Sequence, residues 1–349
     1  MPIARSFNVV GIHTAGEVCD VVTGGVLDVP GKTMFEKMMH MWQKADSLRL
    51  LLMHEPRGSS AMCANIILPP CNAEAHAGFL TMEHEEYPPM SGANTIAVAT
   101  VLLETGMVPM QEPITRIGLD AAAGLVTVTA ECEGGKCKSV AFDNVPAFVF
   151  ALDLEIPVPG LGVVKVDIAW GGMIYALVDA SSVGLKVDSS QGRALVEVGE
   201  RIKSAVQQHT DPIHPENPAI RGVSILQFTE PLRDTTTGKA ASNTVVVSPG
   251  RLDRSPCGTG TCARLAVLHA RSLLKVGETF RHQSVIGTEF VAHIRGTAQV
   301  GRYPAVLPTV KGSSWITSYK QIVLDSTDPF PAGFRVGDTW RMASPKMQV

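Results

Sequence analysis

Apolar and polar residues follow two different periods along this chain. Strand-like alternation opens at Phe7–His13 and dominates the stretch from Ile114 to Val149, where β-branched residues are frequent. Helical spacing occupies three stretches, at residues 33–52, 94–105 and 194–209. Further strands are predicted at residues 61–68, 77–82, 163–179, 222–228, 243–247, 287–291, 298–306 and 314–323. The pattern predicts an α/β to α+β fold in which strands outnumber helices.

One turn stands out from this pattern because it combines a thiol with a sharp change of backbone direction. The residues from Asp253 to Cys262 read DRSPCGTGTC and are followed by good helix formers. Cys257 is therefore predicted at the N-terminus of a helix. Unpaired N–H groups and the helix dipole favour anions there, so we expect a lowered thiol pKa and a carboxylate-binding site.

A second segment repeats this design. The residues SGANTIA, beginning at Ser91, align with CGTGTCA, beginning at Cys257, and share Gly, Thr and Ala. We interpret the match as an internal duplication that gives two half-domains, each with a turn and a helix N-terminus. The expected geometry places Ser91 and Cys257 on opposite sides of one small anionic ligand.

The proline-rich segment at residues 156–160 is the best candidate for a domain boundary. It predicts a first lobe at residues 1–155 and a second lobe at residues 156–320, with the segment 320–349 packing back on the first lobe. Gly171 and Gly172 interrupt strand-like sequence, which indicates a bulge or a close backbone approach, in some proteins to a ligand.

Composition narrows the classes of function. A chain of 349 residues with 45% hydrophobic residues and a net charge of -3 has no basic excess for nucleic acid. Without an apolar leader or a run of about 20 apolar residues, a cytoplasmic location with no membrane partner is expected. The seven cysteines are expected to be reduced, and their spacings predict no metal site. No nucleotide-binding motif is present, so no cofactor is predicted.

The chemistry that fits a thiol, an opposed hydroxyl and no cofactor is proton transfer at carbon. The α-proton of an amino acid becomes labile when a base reaches it and the adjacent carboxylate is neutralised. Cys257 or Ser91 would supply the base, and Asp253 would hold the substrate nitrogen. Structural alternatives are an ordinary N-cap for Ser91 and a turn-forming role for Asp253. A different class of function is a redox or binding protein that uses Cys257 alone.

These residues closely resemble the proline racemase family over nearly the full length of the chain. The resemblance rests on HTAGE at residues 13–17, EPRG at 55–58, MSGAN at 90–94, DRSPCGTGT at 253–261, LD at 324–325 and DPF at 328–330. It implies two pseudo-symmetric lobes of the proline racemase and diaminopimelate epimerase-like type, with the active site between them. It also implies a homodimer.

The resemblance assigns roles to individual residues. Cys257 is one of two acid/base residues and Asp253 binds the ring nitrogen. Backbone amides contact the substrate carboxylate from both lobes. The complete predicted substrate-binding set is Gly92, Ala93, Asn94, Asp253, Gly258 and Thr259.

Departures from the family pattern indicate the subgroup. Proline racemases and most 4-hydroxyproline epimerases have a cysteine followed by Gly-His in the first lobe, whereas this chain has Ser91 followed by Gly92 and Ala93. A Ser/Cys pair resembles trans-3-hydroxy-L-proline dehydratases. The expected reaction is cofactor-independent dehydration to Δ1-pyrroline-2-carboxylate in hydroxyproline catabolism. In it Ser91 takes the α-proton and Cys257 is the partner acid. The alternative is 4-hydroxyproline 2-epimerase, which interconverts trans-4-hydroxy-L-proline and cis-4-hydroxy-D-proline.

Overall fold

A computed structural model describes residues 3–248 and 250–336 of the chain. The chain divides into two compact units. Unit 1 contains the residues up to Phe142 and the described residues from Gly312 onward, and unit 2 contains Asp143–Lys311. Each unit is a sheet with an apolar helix packed inside it.

Unit 1 is built on eight strands: β1 (Ile3–Thr14), β2 (Glu17–Gly24), β3 (Met62–Leu68), β4 (Ala77–Met82), β5 (Ile114–Ala121), β6 (Gly124–Glu133), β7 (Lys136–Asp143) and β18 (Ser314–Asp325). Their hydrogen-bonded order is β18-β1-β2-β3-β4-β5-β6-β7. The pairs β2/β3 and β4/β5 are parallel and the other pairs are antiparallel. The helices are α1 (Met34–Lys44), α2 (Ser47–Met53) and α3 (Gly92–Glu104).

Unit 2 has eight main strands: β8 (Ala147–Val158), β9 (Gly162–Trp170), β10 (Ile174–Asp179), β11 (Ile225–Thr229), β13 (Gly238–Val247), β15 (Thr279–Gln283), β16 (Glu289–Val300) and β17 (Tyr303–Gly312). They close into a barrel, because they pair in the order β8-β9-β10-β11-β13-β15-β16-β17 and β17 also pairs with β8. Two short strands, β12 (Arg233–Thr235) and β14 (Arg251–Leu252), pair with β13. The helices are α4 (Gly192–His209) and α5 (Gly258–Ala270), with short 3-10 turns at Ala180–Val183 and Ser189–Gln191.

The two units share one sequence of strand pairings. In each, counted along the sheet, the third and fourth strands are parallel, the fifth and sixth are parallel, and the remaining neighbours are antiparallel. Helix α3 lies between the fifth and sixth strands in chain order, and α5 occupies the same place in unit 2. The duplication inferred from sequence is therefore present in the fold, and the mixed α/β, strand-rich class is confirmed.

Helices α3 and α5 are apolar on nearly every side, which is the pattern of a helix enclosed by other elements. In α3 every residue from Gly92 to Leu103 is buried. In α5 the residues from Gly258 to Leu268 are buried except Arg264, which is partly exposed. Burial on all sides fixes the position of each helix N-terminus within its own unit.

The predicted helix at residues 33–52 is two helices, because the chain leaves α1 at Ala45 and starts α2 from Asp46. The carboxylate of Asp46 binds Arg49 and accepts the hydroxyl of Tyr87 at 2.8 Å, and these contacts hold the break. The predicted strand at residues 298–306 is likewise two strands, separated by a turn at residues 301–302.

The two domain boundaries in the structure differ from those predicted from the sequence. The structure divides the chain at 142/143 and 311/312 rather than at 155/156 and 320. The proline-rich segment at residues 156–160 ends β8 and turns the chain into β9, with Val158 opposite Gly162 in the ladder. It is a hairpin within unit 2, because turn residues mark any reversal of the chain and not only a domain limit.

Candidate active site

Cys257 is the N-cap residue of α5 and has an unusual backbone conformation. Its φ is 62° and its ψ is 113°, which a residue with a Cβ rarely adopts. Pro256 precedes it, and the hydroxyl of Ser255 accepts a hydrogen bond from its backbone N–H at 3.0 Å. Strain of this kind persists where the surrounding structure enforces it, and it concentrates at functional sites.

Cys257 is 8% exposed, and its thiol lies among polar groups of unit 2. The Tyr175 hydroxyl lies 3.3 Å from Sγ and also 2.6 Å from the Thr259 hydroxyl. Burial is the main reason that the pKa of Cys257 is raised well above its usual value, and the Asp253 carboxylate raises it further. Hydrogen bonds from Tyr175, the Gly260 amide and Thr259 act in the opposite direction on this pKa.

The lowered thiol pKa expected from the helix N-terminus is therefore wrong for this structure. The helix dipole and the backbone amides are present, but desolvation of the thiolate raises the pKa by more than they lower it. The raised pKa favours the neutral thiol near pH 7, and a neutral thiol is a proton donor.

Asp253 is nine-tenths buried and begins the turn that leads from β14 to Cys257. Its Oδ1 accepts the backbone N–H of Ser255 at 2.8 Å, so it forms the turn that the structural alternative predicted. Its charge nonetheless acts on Cys257. A carboxylate this close to the thiol is also placed to hold a cationic nitrogen near it.

The N-terminal turn of α5 is shaped by the glycine pair at the β9–β10 connection. A Cβ on Gly171 would lie 2.2 Å from the backbone oxygen of Thr259 and 2.5 Å from the nitrogen of Ala263. A Cβ on Gly172 would lie 2.9 Å from the Thr259 side chain, and its φ of 111° also favours glycine. The glycine pair is thus a close backbone approach, and the neighbour is helix α5.

Ser91 is the N-cap residue of α3 in unit 1 and is partly exposed. Its side chain makes no capping hydrogen bond to the helix backbone. Instead Oγ accepts a hydrogen bond from Nδ2 of Asn94 at 2.8 Å. The reading of Ser91 as an ordinary N-cap does not hold, because its hydroxyl is not used for capping.

Gly92 and Ala93 begin α3, as Gly258 and Thr259 begin α5. The first N–H groups of a helix have no partner within the helix, which makes them donors for an anion. The hydroxyl of Thr14 donates to the backbone oxygen of Ala93 at 2.9 Å and fixes the first turn of α3.

The remaining motifs of the sequence hold unit 1 together. Arg57 binds the carboxylate of Asp328 and donates to the backbone oxygen of Phe330 at 3.2 Å. His13 stacks on Trp315, with 5.2 Å between the ring centroids. The motifs at residues 13–17, 55–58 and 328–330 therefore contribute to packing within unit 1.

Three polar residues near the two helix N-termini were not identified from sequence: Tyr175, Asn65 and Thr81. Tyr175 lies in an alternating strand and gives no signal of its own. Asn65 and Thr81 are polar residues within the buried strands β3 and β4. Polar residues are seldom buried in apolar strands unless they have a specific partner, so their position in the sequence could have drawn attention to Asn65 and Thr81.

In the part of the chain that the structure describes, no helix is long and apolar enough to cross a membrane. Within residues 3–248 and 250–336, no group of three or more His, Cys, Asp or Glu side chains is arranged to hold a metal ion. No disulfide joins the seven cysteines, all of which lie in described segments.

The chain is similar in sequence and fold to proteins of known structure. The chain is 38% identical to a hydroxyproline epimerase from Agrobacterium vitis solved with bound trans-4-OH-L-proline, with a TM-score of 0.91 over 97% of this chain and 98% of that one. A probable proline racemase from Agrobacterium radiobacter K84, solved with bound carbonate, is also 38% identical, with a TM-score of 0.90 over 96% and 98%. A PhzF-family protein from Bacillus anthracis shares the fold alone, at 9% identity and a TM-score of 0.57 over 92% and 100% of the two chains.

The family model for proline racemase matches residues 9–335, a range that includes the N-termini of α3 and α5. This chain therefore belongs to the proline racemase family and is an enzyme of the racemase and epimerase type.

Proposed function

We propose that this protein dehydrates trans-3-hydroxy-L-proline to Δ1-pyrroline-2-carboxylate, with Ser91 and Cys257 acting on one bound substrate. The observation that carries the proposal is the chemical difference between the two helix N-caps. One is a serine hydroxyl that accepts from Asn94, and the other is a buried thiol beside Tyr175. The two acid/base positions are therefore not equivalent, and a reaction that treats the two faces of the ring differently suits them.

In the proposed reaction, N–H groups of Gly92, Ala93, Gly258 and Thr259 bind the substrate carboxylate. Asp253 pairs with the ring ammonium, and together these contacts stabilise the charge that develops at the α-carbon. Ser91 takes the α-proton, the electron pair forms the C2–C3 double bond, and the 3-hydroxyl takes a proton from Cys257, the partner acid, and leaves as water. The enamine then tautomerises in water, gaining a proton at C3 and losing one from the ring nitrogen, to become the imine.

The state of Cys257 supports its assignment as the acid. Burial and the Asp253 carboxylate both raise the pKa of the thiol, which favours its protonated form. A thiol that begins the cycle protonated can give a proton and need not remove one. Return of a proton to the opposite face of Cα is required for epimerisation and is not required for elimination, so a weak second base limits elimination less.

The alternative function is 4-hydroxyproline 2-epimerase, and one observation favours it. The Agrobacterium vitis relative carries the name of a hydroxyproline epimerase and was solved with trans-4-OH-L-proline. In that reaction the same two residues would remove and return the α-proton from opposite faces. Both functions take a small cyclic amino acid, no cofactor is proposed for either, and we expect a cytoplasmic homodimer.

Proton NMR in deuterium oxide separates the two functions. The purified enzyme is incubated with trans-3-hydroxy-L-proline and, separately, with trans-4-hydroxy-L-proline. Conversion of the 3-hydroxy substrate to the imine is the expected result. If that substrate survives while the 4-hydroxy compound exchanges its α-proton and changes configuration, the enzyme is the epimerase. Inactivity on both, with reversible oxidation of Cys257, would favour a thiol redox or binding protein instead.

A further inference from the structure

A chain of buried side-chain amides leads from the backbone of β2 to Ser91. Asn65 lies on β3, and its Nδ2 donates to the backbone oxygens of Cys19 and Asp20, both at 3.4 Å. The same Nδ2 donates to Oδ1 of Asn94 at 2.6 Å. Asn65 is fully buried and Asn94 is 1% exposed.

The donor and acceptor ends of both amides are fixed by chemistry. Backbone oxygens accept and cannot donate, so the group of Asn65 that faces Cys19 and Asp20 must be its NH₂. Its Oδ1 in turn accepts the Thr81 hydroxyl at 2.9 Å. The NH₂ of Asn65 then requires an acceptor on Asn94, which turns the NH₂ of Asn94 toward Ser91.

Ser91 Oγ is consequently the acceptor of its bond with Asn94. The hydrogen of the Ser91 hydroxyl therefore does not take part in the bond with Asn94. A donor held on an oxygen stabilises the negative charge that forms when that oxygen loses its proton, and it lowers the pKa of the hydroxyl. A serine without such a partner is a poor base.

Unit 2 differs at the corresponding position. Gly260 aligns with Asn94, three residues after the N-cap in each helix. The nearest side-chain amide is that of Gln227, whose Nε2 would lie 3.1 Å from a Cβ at position 260. That Nε2 donates to Oδ1 of Asn243 at 2.9 Å. A side-chain amide three residues after the N-cap therefore donates to Ser91, whereas Gly260 at the corresponding position cannot donate in this way to Cys257.

We propose that Asn94, oriented by Asn65, is a positioning residue that makes Ser91 competent as the base of the reaction. This inference rests on the proposed role of Ser91 and explains how a hydroxyl serves where a thiol is usual. The amide holds Oγ in place and stabilises the developing alkoxide. Asn94 thereby acts through Ser91, whereas the sequence analysis predicted that it binds the substrate directly.

A double-mutant cycle tests the inference. Asn94→Ala is made in the natural chain and in a Ser91→Cys background, and kcat, KM and the pH profile are measured by α-proton exchange. In the natural chain we expect kcat to fall about 10²-fold, with KM nearly unchanged and the ascending limb of the profile, on which the base loses its proton, moved to higher pH. In the Ser91→Cys background the loss should be under about threefold, because a thiol with a reference pKa of about 8.5 ionises without the donor. Equal losses in both backgrounds would show a merely structural role.

A second measurement does not depend on activity. The introduced thiol of Ser91→Cys is alkylated over a range of pH, with and without Asn94→Ala, and followed by peptide mass spectrometry. The thiol pKa should be at least half a unit higher without Asn94, and identical values would overturn the inference. Thr100→Val is the control, since Thr100 is buried on the same helix and its hydroxyl donates to Ile96 at 2.8 Å. If the natural enzyme is inactive on both hydroxyprolines, the proposed function fails, while this alkylation test still decides the role of Asn94.

Discussion

The hydroxyl of Tyr175 lies 3.3 Å from the sulfur of Cys257, and both residues are buried. This contact lowers the pKa of Cys257 against the larger effect of burial. The pKa of Tyr175 itself is raised far above its usual value, mainly by burial and then by Cys257, so the phenol stays protonated. Tyr175 is thus a neutral hydrogen-bond partner that makes the thiol easier to ionise.

Replacing Tyr175 by phenylalanine should make Cys257 less reactive. Loss of one hydrogen bond of about 1 kcal/mol corresponds to a fall of about fivefold in the alkylation rate at fixed pH. The rate is measured with iodoacetamide and assigned to the Cys257 peptide by mass spectrometry. Tyr303→Phe, in the same unit, should leave the rate unchanged. A rate in Tyr175→Phe equal to the natural one would mean that the phenol does not assist ionisation.

Replacing Asp253 by asparagine should have opposite effects on reactivity and turnover. The carboxylate raises the pKa of Cys257, so its removal lowers that pKa and speeds alkylation several-fold. Turnover should nevertheless fall and KM should rise, because the substrate ammonium loses its counter-ion. Asp234→Asn, an exposed change on β12, is the control. Parallel changes in alkylation and turnover would contradict the role of Asp253 in holding the nitrogen.

Cys257→Ala should abolish turnover while the protein still folds. General acid catalysis contributes about 10²–10⁴-fold, so the loss should lie in that range or above. Circular dichroism and thermal melting check the fold, and NMR in deuterium oxide checks the reaction. Full turnover in this variant would remove the thiol from the mechanism.

The glycine at position 171 should tolerate no side chain. A Cβ there would lie 2.2 Å from the Thr259 oxygen, so Gly171→Ala must push the β9–β10 turn away from α5. We expect a loss of about 3 kcal/mol in the free energy of unfolding, measured with urea, together with reduced turnover. Gly192→Ala is the matched control, because the nearest atom to its Cβ is 3.8 Å away. A neutral Gly171→Ala would show that the close approach does not hold the helix N-terminus.

Acid should destabilise the protein partly through His54. Burial lowers the pKa of His54 to about 4, with further lowering by His84, Arg49 and Arg335. Because the unfolded histidine titrates near 6.5, the unfolded state binds more protons below that pH. The stability contribution of neutral His54 is therefore complete above about pH 6.5 and is lost as the pH falls toward 4. Urea unfolding at pH 7.5 and 5 should show about 1 to 2 kcal/mol less pH dependence in His54→Gln than in the natural chain.

Local signals in the sequence predicted the helices and most of the strands of each unit. Glycines, prolines and alternating apolar residues act over a few positions, and the turn before Cys257 and the start of α3 followed from them. The break at Asp46 did not, because it depends on contacts with Arg49 and Tyr87, and Tyr87 is distant in sequence.

The candidate site was predicted only as far as its turns. Ser91, Cys257 and Asp253 were identified by motif, but the direction of the Cys257 pKa was not, since burial depends on residues that are distant in sequence. The contact of Asn65 with Asn94 joins residues 29 apart, and that of Tyr175 with Cys257 joins residues 82 apart. Such pairs are set by strand order, which no local pattern specifies.

Unit 2 is one continuous stretch of chain, whereas unit 1 is completed by β18, which pairs with β1 from Ile3 to Thr14. A ribosome therefore delivers all of unit 2 before it delivers the last strand of unit 1. Domains fold as units during synthesis. During synthesis, the barrel that carries Cys257 is therefore complete and able to fold while the sheet that carries Ser91 still awaits its final strand.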